Sequence, residues 1–214
     1  MHNLRFKFEG SETLTRNFSQ AGQDLFVLGA LNGKRNGTYL EVGAGPCADS
    51  SNTYLLETKF NWRGVSVEIN QGYYDDQVKN RSHYIELADA TQINFADLLT
   101  RGGINDRVID YVSLDLDSVN TLVALYNLPL ETHKFAVISY EHDCYVYGPK
   151  YKKLSRQYLT DMGYELVVSN IAATNYGDFE DWWVHPELVD SAKINAMKSI
   201  DDSVKQWNDY IFES

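Results

Sequence analysis

The sequence predicts one α/β domain, a mostly parallel sheet with helices on both faces. Five short β-branched or aromatic runs alternate with segments long enough for two or three helical turns. Strands joined through helices need crossover connections, which make neighbours parallel and cover both faces of the sheet. The 214 residues suffice for one sizeable core and are short for two.

Residues 19–32 (SQAGQDLFVLGALN) fit an amphipathic helix with Leu25, Leu28 and Leu31 as its buried stripe and Ser19 as N-cap. They belong to a helical lead-in over 1–35. Strands are expected at 38–42, 64–69, 83–88, 109–116 and 135–141, with helices at 51–59, 71–80, 95–101 and 118–127 between them. Residues 150–162 read as a helix ended by Gly163, a good left-handed terminator. Strands at 163–170 and 178–185 then form an antiparallel hairpin at one sheet edge, closing a core over 36–185. The stripe Leu188, Ile194, Met197, Ile200, Val204 and Trp207 predicts a C-terminal helix within 186–214.

Composition narrows the function classes. The formal net charge is −11, and no Lys/Arg cluster exceeds Lys150–Lys153, so a nucleic-acid partner is not expected. No apolar run approaches the length of a membrane span, and MHNLRFKFEG lacks the features of a secretory signal. Cys47 and Cys144 have neither CxxC nor metal-ligand spacing and read as reduced thiols, the expectation for a cytoplasmic protein. A small-molecule or carbohydrate partner fits this profile; the oligomeric state is not legible.

In an open α/β sheet, ligands bind beyond the carboxyl ends of the strands. The loop after the first strand reads Glu41-Val42-Gly43-Ala44-Gly45-Pro46-Cys47-Ala48. Gly43, Gly45 and Ala48 match the dinucleotide pattern GxGxxA, a weak signal by itself. Two details argue for another nucleotide-like ligand. Glu41 stands where a dinucleotide strand carries an apolar residue, and a carboxylate there suits a cationic amino group such as that of S-adenosylmethionine. The helical pattern resumes only near Ser50–Thr53, too late to aim a helix N-terminus at a pyrophosphate. Glu68, followed by Asn70, ends the second strand and can accept from ribose hydroxyls. Asp89 after the third strand can accept from an adenine amino group, and Asn52 either binds ligand or caps the next helix.

The segments SQAGQD (19–24), NGTYLEVGAG (36–45), SNTYLLE (51–57), NWRGVSVEIN (61–70), IDYVSLDLDS (109–118), ISYEHD (138–143) and GY (163–164) together resemble the FkbM-type S-adenosylmethionine-dependent methyltransferases over residues 19 to 185. The resemblance implies a Rossmann-like class I methyltransferase fold of seven strands. It also implies methylation of hydroxyl groups on sugars or natural-product scaffolds, and it places Gln23, with Gln20 and Asp24, in the family's N-terminal motif, which either closes over the cofactor or is a plain amphipathic helix surface. The family's fourth strand typically ends Asp-x-Glu-Gly; here it ends Asp115-Leu116-Asp117-Ser118, so cofactor binding is better supported than catalysis.

Asp115 and Asp117 share a strand face, as do Glu141 and Asp143, with His142 opposite. Transfer to an alcohol requires alignment and removal of a proton. Three readings stand side by side: His142 as general base, with Asp115 and Glu141 beside it; magnesium or calcium held by Asp115, Glu141 and Asp143; or Asp115 orienting the cofactor, Glu141 bonding neighbouring backbone and His142 packing. The tyrosines of 140–147 and the pair Trp182-Trp183 put aromatic rings near the expected acceptor mouth, although alternation of the two tryptophans between core and exterior is as good a reading. The rivals to an O-methyltransferase are an NAD-dependent oxidoreductase and a cofactor-binding module without turnover.

Overall fold

A computed structural model describes residues 3–174 and 176–213. Its centre is an eight-stranded sheet in the order β3-β2-β1-β4-β5-β7-β6-β8. β1 (Thr38–Val42), β2 (Arg63–Glu68), β3 (Tyr84–Leu87), β4 (Val108–Leu114) and β5 (Lys134–Glu141) pair in parallel. They are linked by α2 (Tyr54–Phe60), α3 (Gln71–Asn80), α4 (Phe95–Arg101) and α5 (Val119–Asn127), after a lead-in helix α1 (Gln23–Ala30). Strand order reverses between β1 and β4, and the loop after β1 opens there.

After β5 come the short α6 (Cys144–Tyr147) and then α7 (Lys150–Asp161). β6 (Glu165–Ala173) and β7 (Tyr176–Val184) form an antiparallel hairpin, and β7 also pairs antiparallel with β5. β7 is therefore an interior strand. Trp182 and Trp183 are both fully buried, one in the core on each face of the sheet. Neither lies at an acceptor mouth, and neither points to solvent as edge-strand alternation had suggested. Each contributes about 1.5–3 kcal/mol or more by leaving water.

The C-terminal segment departs from expectation. In place of one helix it forms α8 (Ser191–Met197), a two-residue eighth strand β8 (Lys205–Gln206) and α9 (Trp207–Ile211). Side chains of β6 draw the chain to the sheet edge: Asn170 donates to the Asp201 and Ser203 carbonyls, and Ser169 to the Asp201 carbonyl. Ile200 and Val204, read as part of a buried stripe, are about half exposed. Leu188, Ile194, Met197 and Trp207 do pack on the core.

A cleft of carboxylates and tyrosines at the strand ends

Strand alternation puts Tyr39 and Glu41 on one face of β1, Tyr111 and Ser113 on the same face of β4, and Val137, Ser139 and Glu141 on that face of β5. With Asp115 just beyond β4, the carboxyls converge at the top of the sheet. They line a cleft of about 480 Å³ together with Gly43, Ala44, Gly45, Asn52 and Glu68, a size suited to a small ligand. An adjoining cavity of about 110 Å³ shares Glu68, Leu116 and Asp117 and has the apolar walls Val67, Ile69, Ala88 and Ala90.

The glycine loop is held from three sides. Gly43 has φ +83°, and a Cβ there would fall 1.9 Å from the Asp115 carbonyl oxygen, so only glycine fits. The Gly43 and Ala44 amides donate to the Val67 carbonyl, 3.1 and 3.3 Å. Gln77 of α3 donates to the Ala44 and Gly45 carbonyls at 3.1 and 3.0 Å. Gly45, at φ +57°, has open space where a Cβ would project. As the late helical pattern required, α2 begins only at Tyr54.

Glu68 accepts the Gly45 amide on one carboxylate oxygen, 2.9 Å, and the Asn70 amide on the other, 2.7 Å. Each oxygen keeps a second lone pair for a ligand hydroxyl. Asn52 donates to Ser113 Oγ at 2.9 Å and to Asp115 at 3.4 Å, while its Oδ1 is buried without a partner. An orphaned acceptor on a cleft wall is the mark of a missing donor. Glu41 is buried and already paired: it accepts from Ser66 Oγ at 2.9 Å and faces the Arg81 guanidinium at 3.6 Å. Arg81 is itself enclosed by Glu57, Tyr39 and Thr53. A ligand ammonium would therefore share Glu41 with an internal cation.

Asp115 and Glu141 hydrogen-bond to each other. Burial pushes both acids up, and the Asp115 charge pushes Glu141 further, well above the usual carboxylate range. Glu180 lies directly across the ladder from Glu141. Burial and then the Asp115 charge push Glu180 well above the usual carboxylate range too. Like charges placed opposite one another are unfavourable in a sheet, which is why each carboxyl raises the other's affinity for a proton. Asp143, at φ +48° and partly buried, is likewise raised by burial first.

Several expected site residues lie elsewhere. His142 is fully buried on the opposite face, with its Nε2 3.5 Å from Asp178 and 3.6 Å from Asp181, so it does not reach the cleft as a base. The metal reading also lacks a site: among the described residues no group of three His, Cys, Asp or Glu side chains is arranged to hold an ion. Burial instead raises both the Asp115 and the Glu141 carboxyl above the usual range. Gln23 is buried, donating to Glu180 at 2.7 Å and accepting the Ala21 amide at 2.8 Å; its neighbour Gln20 lines the cleft. The Asn70 side chain caps α3 by accepting the Gly72 and Tyr73 amides. Asp89 accepts from the Thr91 amide and hydroxyl, at 2.9 and 2.7 Å, at the rim of the smaller cavity. Ser118, where the resembling family has glycine, adopts φ +38°, a strained value for a residue with a Cβ.

Sequence reasoning missed Gln77, Arg81, Glu180 and the rim tyrosines Tyr73 and Tyr176. Arg81 alone left a trace, a cation at the end of a predicted helix in an acidic chain.

No protein-family model matches this sequence, and no curated protein does. Solved structures do resemble it. TrmK from M. capricolum, in complex with its natural cofactor product S-adenosyl-homocysteine, superposes with a TM-score of 0.54 at 13% identity, over 84% of this chain and 75% of that one. A fibrillarin/Nop5p complex gives 0.51 at 16% identity, over 77% and 79%. At these identities the likeness establishes the fold: this chain has the Rossmann-like methyltransferase fold, with eight strands rather than seven.

Proposed function

We propose that the chain is an S-adenosylmethionine-dependent methyltransferase, and that it acts on a hydroxyl group of a small molecule or sugar. The single observation that carries the cofactor is the unpartnered Asn52 Oδ1, buried on the wall of a cleft lined by six carboxylates and no Lys, Arg or His among the described residues. Such a wall suits a ligand with cationic centres and opposes pyrophosphate. Asn52 Oδ1 and Glu41 would receive the ammonium, Glu68 the ribose hydroxyls, and the apolar side cavity the adenine. When bound, the cofactor supplies a methyl group already activated by its sulfonium. The ordered FkbM-type motifs support hydroxyl transfer.

The chain's own work is to orient the acceptor and take its proton. Asp115 and Glu141 together hold one proton, and burial makes the remaining carboxylate a stronger base than a free one. An acceptor hydroxyl brought to Asp115 Oδ can lose its proton there. The base assignment thus moves from His142 to the Asp115–Glu141 pair.

A panel of hydroxylated small molecules and glycans, assayed for release of S-adenosylhomocysteine, tests this reading. Turnover is expected with a hydroxyl acceptor, falling by about 100-fold or more in Asp115→Asn. Release with nucleic acid or protein acceptors alone would overturn it.

A further inference from the structure

The outer wall of the cleft is aromatic. Tyr145 and Tyr147 rise from α6 and Tyr176 from the start of β7. The Tyr145 and Tyr176 rings meet at 86° with centroids 5.9 Å apart, two walls of a corner. Gly177 permits this approach, since a Cβ there would lie 2.7 Å from the Tyr145 Cβ. All three rings are exposed by 42–52%, an open aromatic patch that burial does not explain. Acidic groups stand beside it: burial and then the Asp143 charge raise the Tyr145 hydroxyl, with smaller contributions from Tyr176, Glu141 and Tyr147.

Aromatic faces carry negative potential and attract organic cations, most strongly where water is partly excluded. Carboxylates at the same corner add to that attraction, and among the described residues no lining Lys, Arg or His competes for it. A phosphorylated acceptor or a nucleic acid would meet repulsion on every side. A neutral sugar could stack on the rings but would leave the charge unmatched. S-adenosylmethionine carries one net positive charge; with Glu41 facing Arg81 and Asp115 paired with Glu141, the carboxylates of Glu68, Asp117 and Asp143 still leave negative charge for a second cation.

We propose that Tyr145, Tyr147, Tyr176 and Asp143 form a subsite for an alkylammonium group, so that the methyl acceptor is a hydroxylated organic cation. Its identification as the acceptor rests on the methyltransferase reading; the cation preference does not.

The probe is choline, compared with its uncharged isostere 3,3-dimethylbutan-1-ol and with glucose, titrated into the protein with and without saturating S-adenosylhomocysteine. Choline is expected to bind about 10-fold or more tightly than the isostere. That preference should shrink in Asp143→Asn and Tyr145→Leu, persist in Tyr145→Phe, which keeps the ring, and weaken with added salt. S-adenosylhomocysteine affinity should stay unchanged in Tyr145→Leu. Equal affinity for choline and isostere, preference for glucose, or displacement of S-adenosylhomocysteine by choline would overturn the proposal. Selective choline binding by a protein that does not bind S-adenosylhomocysteine would keep the subsite and remove the cofactor reading instead.

Discussion

Glu41, Asp115, Glu141 and Glu180 crowd one face of the sheet, and of these only Glu41 has an ion pair among the described residues. Burial raises the other three above their ordinary values. Glu180 is raised well above its ordinary 4.5, so the folded chain keeps a proton that the unfolded chain releases. Its contribution to stability is complete below about pH 4.5 and is lost as pH rises toward the folded value, at up to about 1.4 kcal/mol per pH unit. Glu180→Gln keeps an acceptor for Gln23 and removes that dependence. Thermal denaturation from about pH 5 to about pH 8 should show a flatter decline in the variant, and identical slopes would contradict the assignment. Period-two alternation made Asp115 and Glu141 legible in the sequence. Glu180 was not, because its place opposite Glu141 depends on the hairpin inserting β7 beside β5, and no local pattern encodes that register.

Among the elements, the proposed cofactor site rests most on the loop between β1 and α2. Its glycines were legible from the strand that precedes them and the helical pattern that resumes late. Their separate duties were not. Gly43 touches the backbone of the neighbouring strand, whereas Gly45 borders open cleft. Gly43→Ala should therefore destabilise the fold by on the order of 3 kcal/mol or more. Gly45→Ala should cost only about 1 kcal/mol of left-handed strain while lowering S-adenosylhomocysteine affinity by about 10-fold. Calorimetric unfolding and ligand titration separate the two, and a reversed order would refute the placement of the cleft. The C-terminal element shows the opposite case. A helical stripe was present at 188–207, yet hydrogen bonds from Ser169 and Asn170 bind its middle to the sheet edge. Tertiary contacts outweighed local periodicity there.

At the scale of the whole molecule, alternating strand and helix signals were enough to predict the sheet, its parallel core and the end at which the cleft opens. The acidity read from composition reappears inside the cleft, where every charged lining side chain among the described residues is a carboxyl. No helix among the described residues is long and apolar enough to cross a membrane. What composition could not give was the division of that acidity between the proposed cofactor end, the Asp115–Glu141 pair and the tyrosine rim, because it depends on how five strands and α6 come together. The most direct measurement is calorimetric titration of S-adenosylhomocysteine and NAD into the native chain and Glu68→Ala. The account predicts that S-adenosylhomocysteine binds, that NAD does not, and that Glu68→Ala weakens binding about 10-fold or more, the loss of a charged hydrogen-bond acceptor. Binding of NAD alone, or S-adenosylhomocysteine affinity indifferent to Glu68, would contradict it.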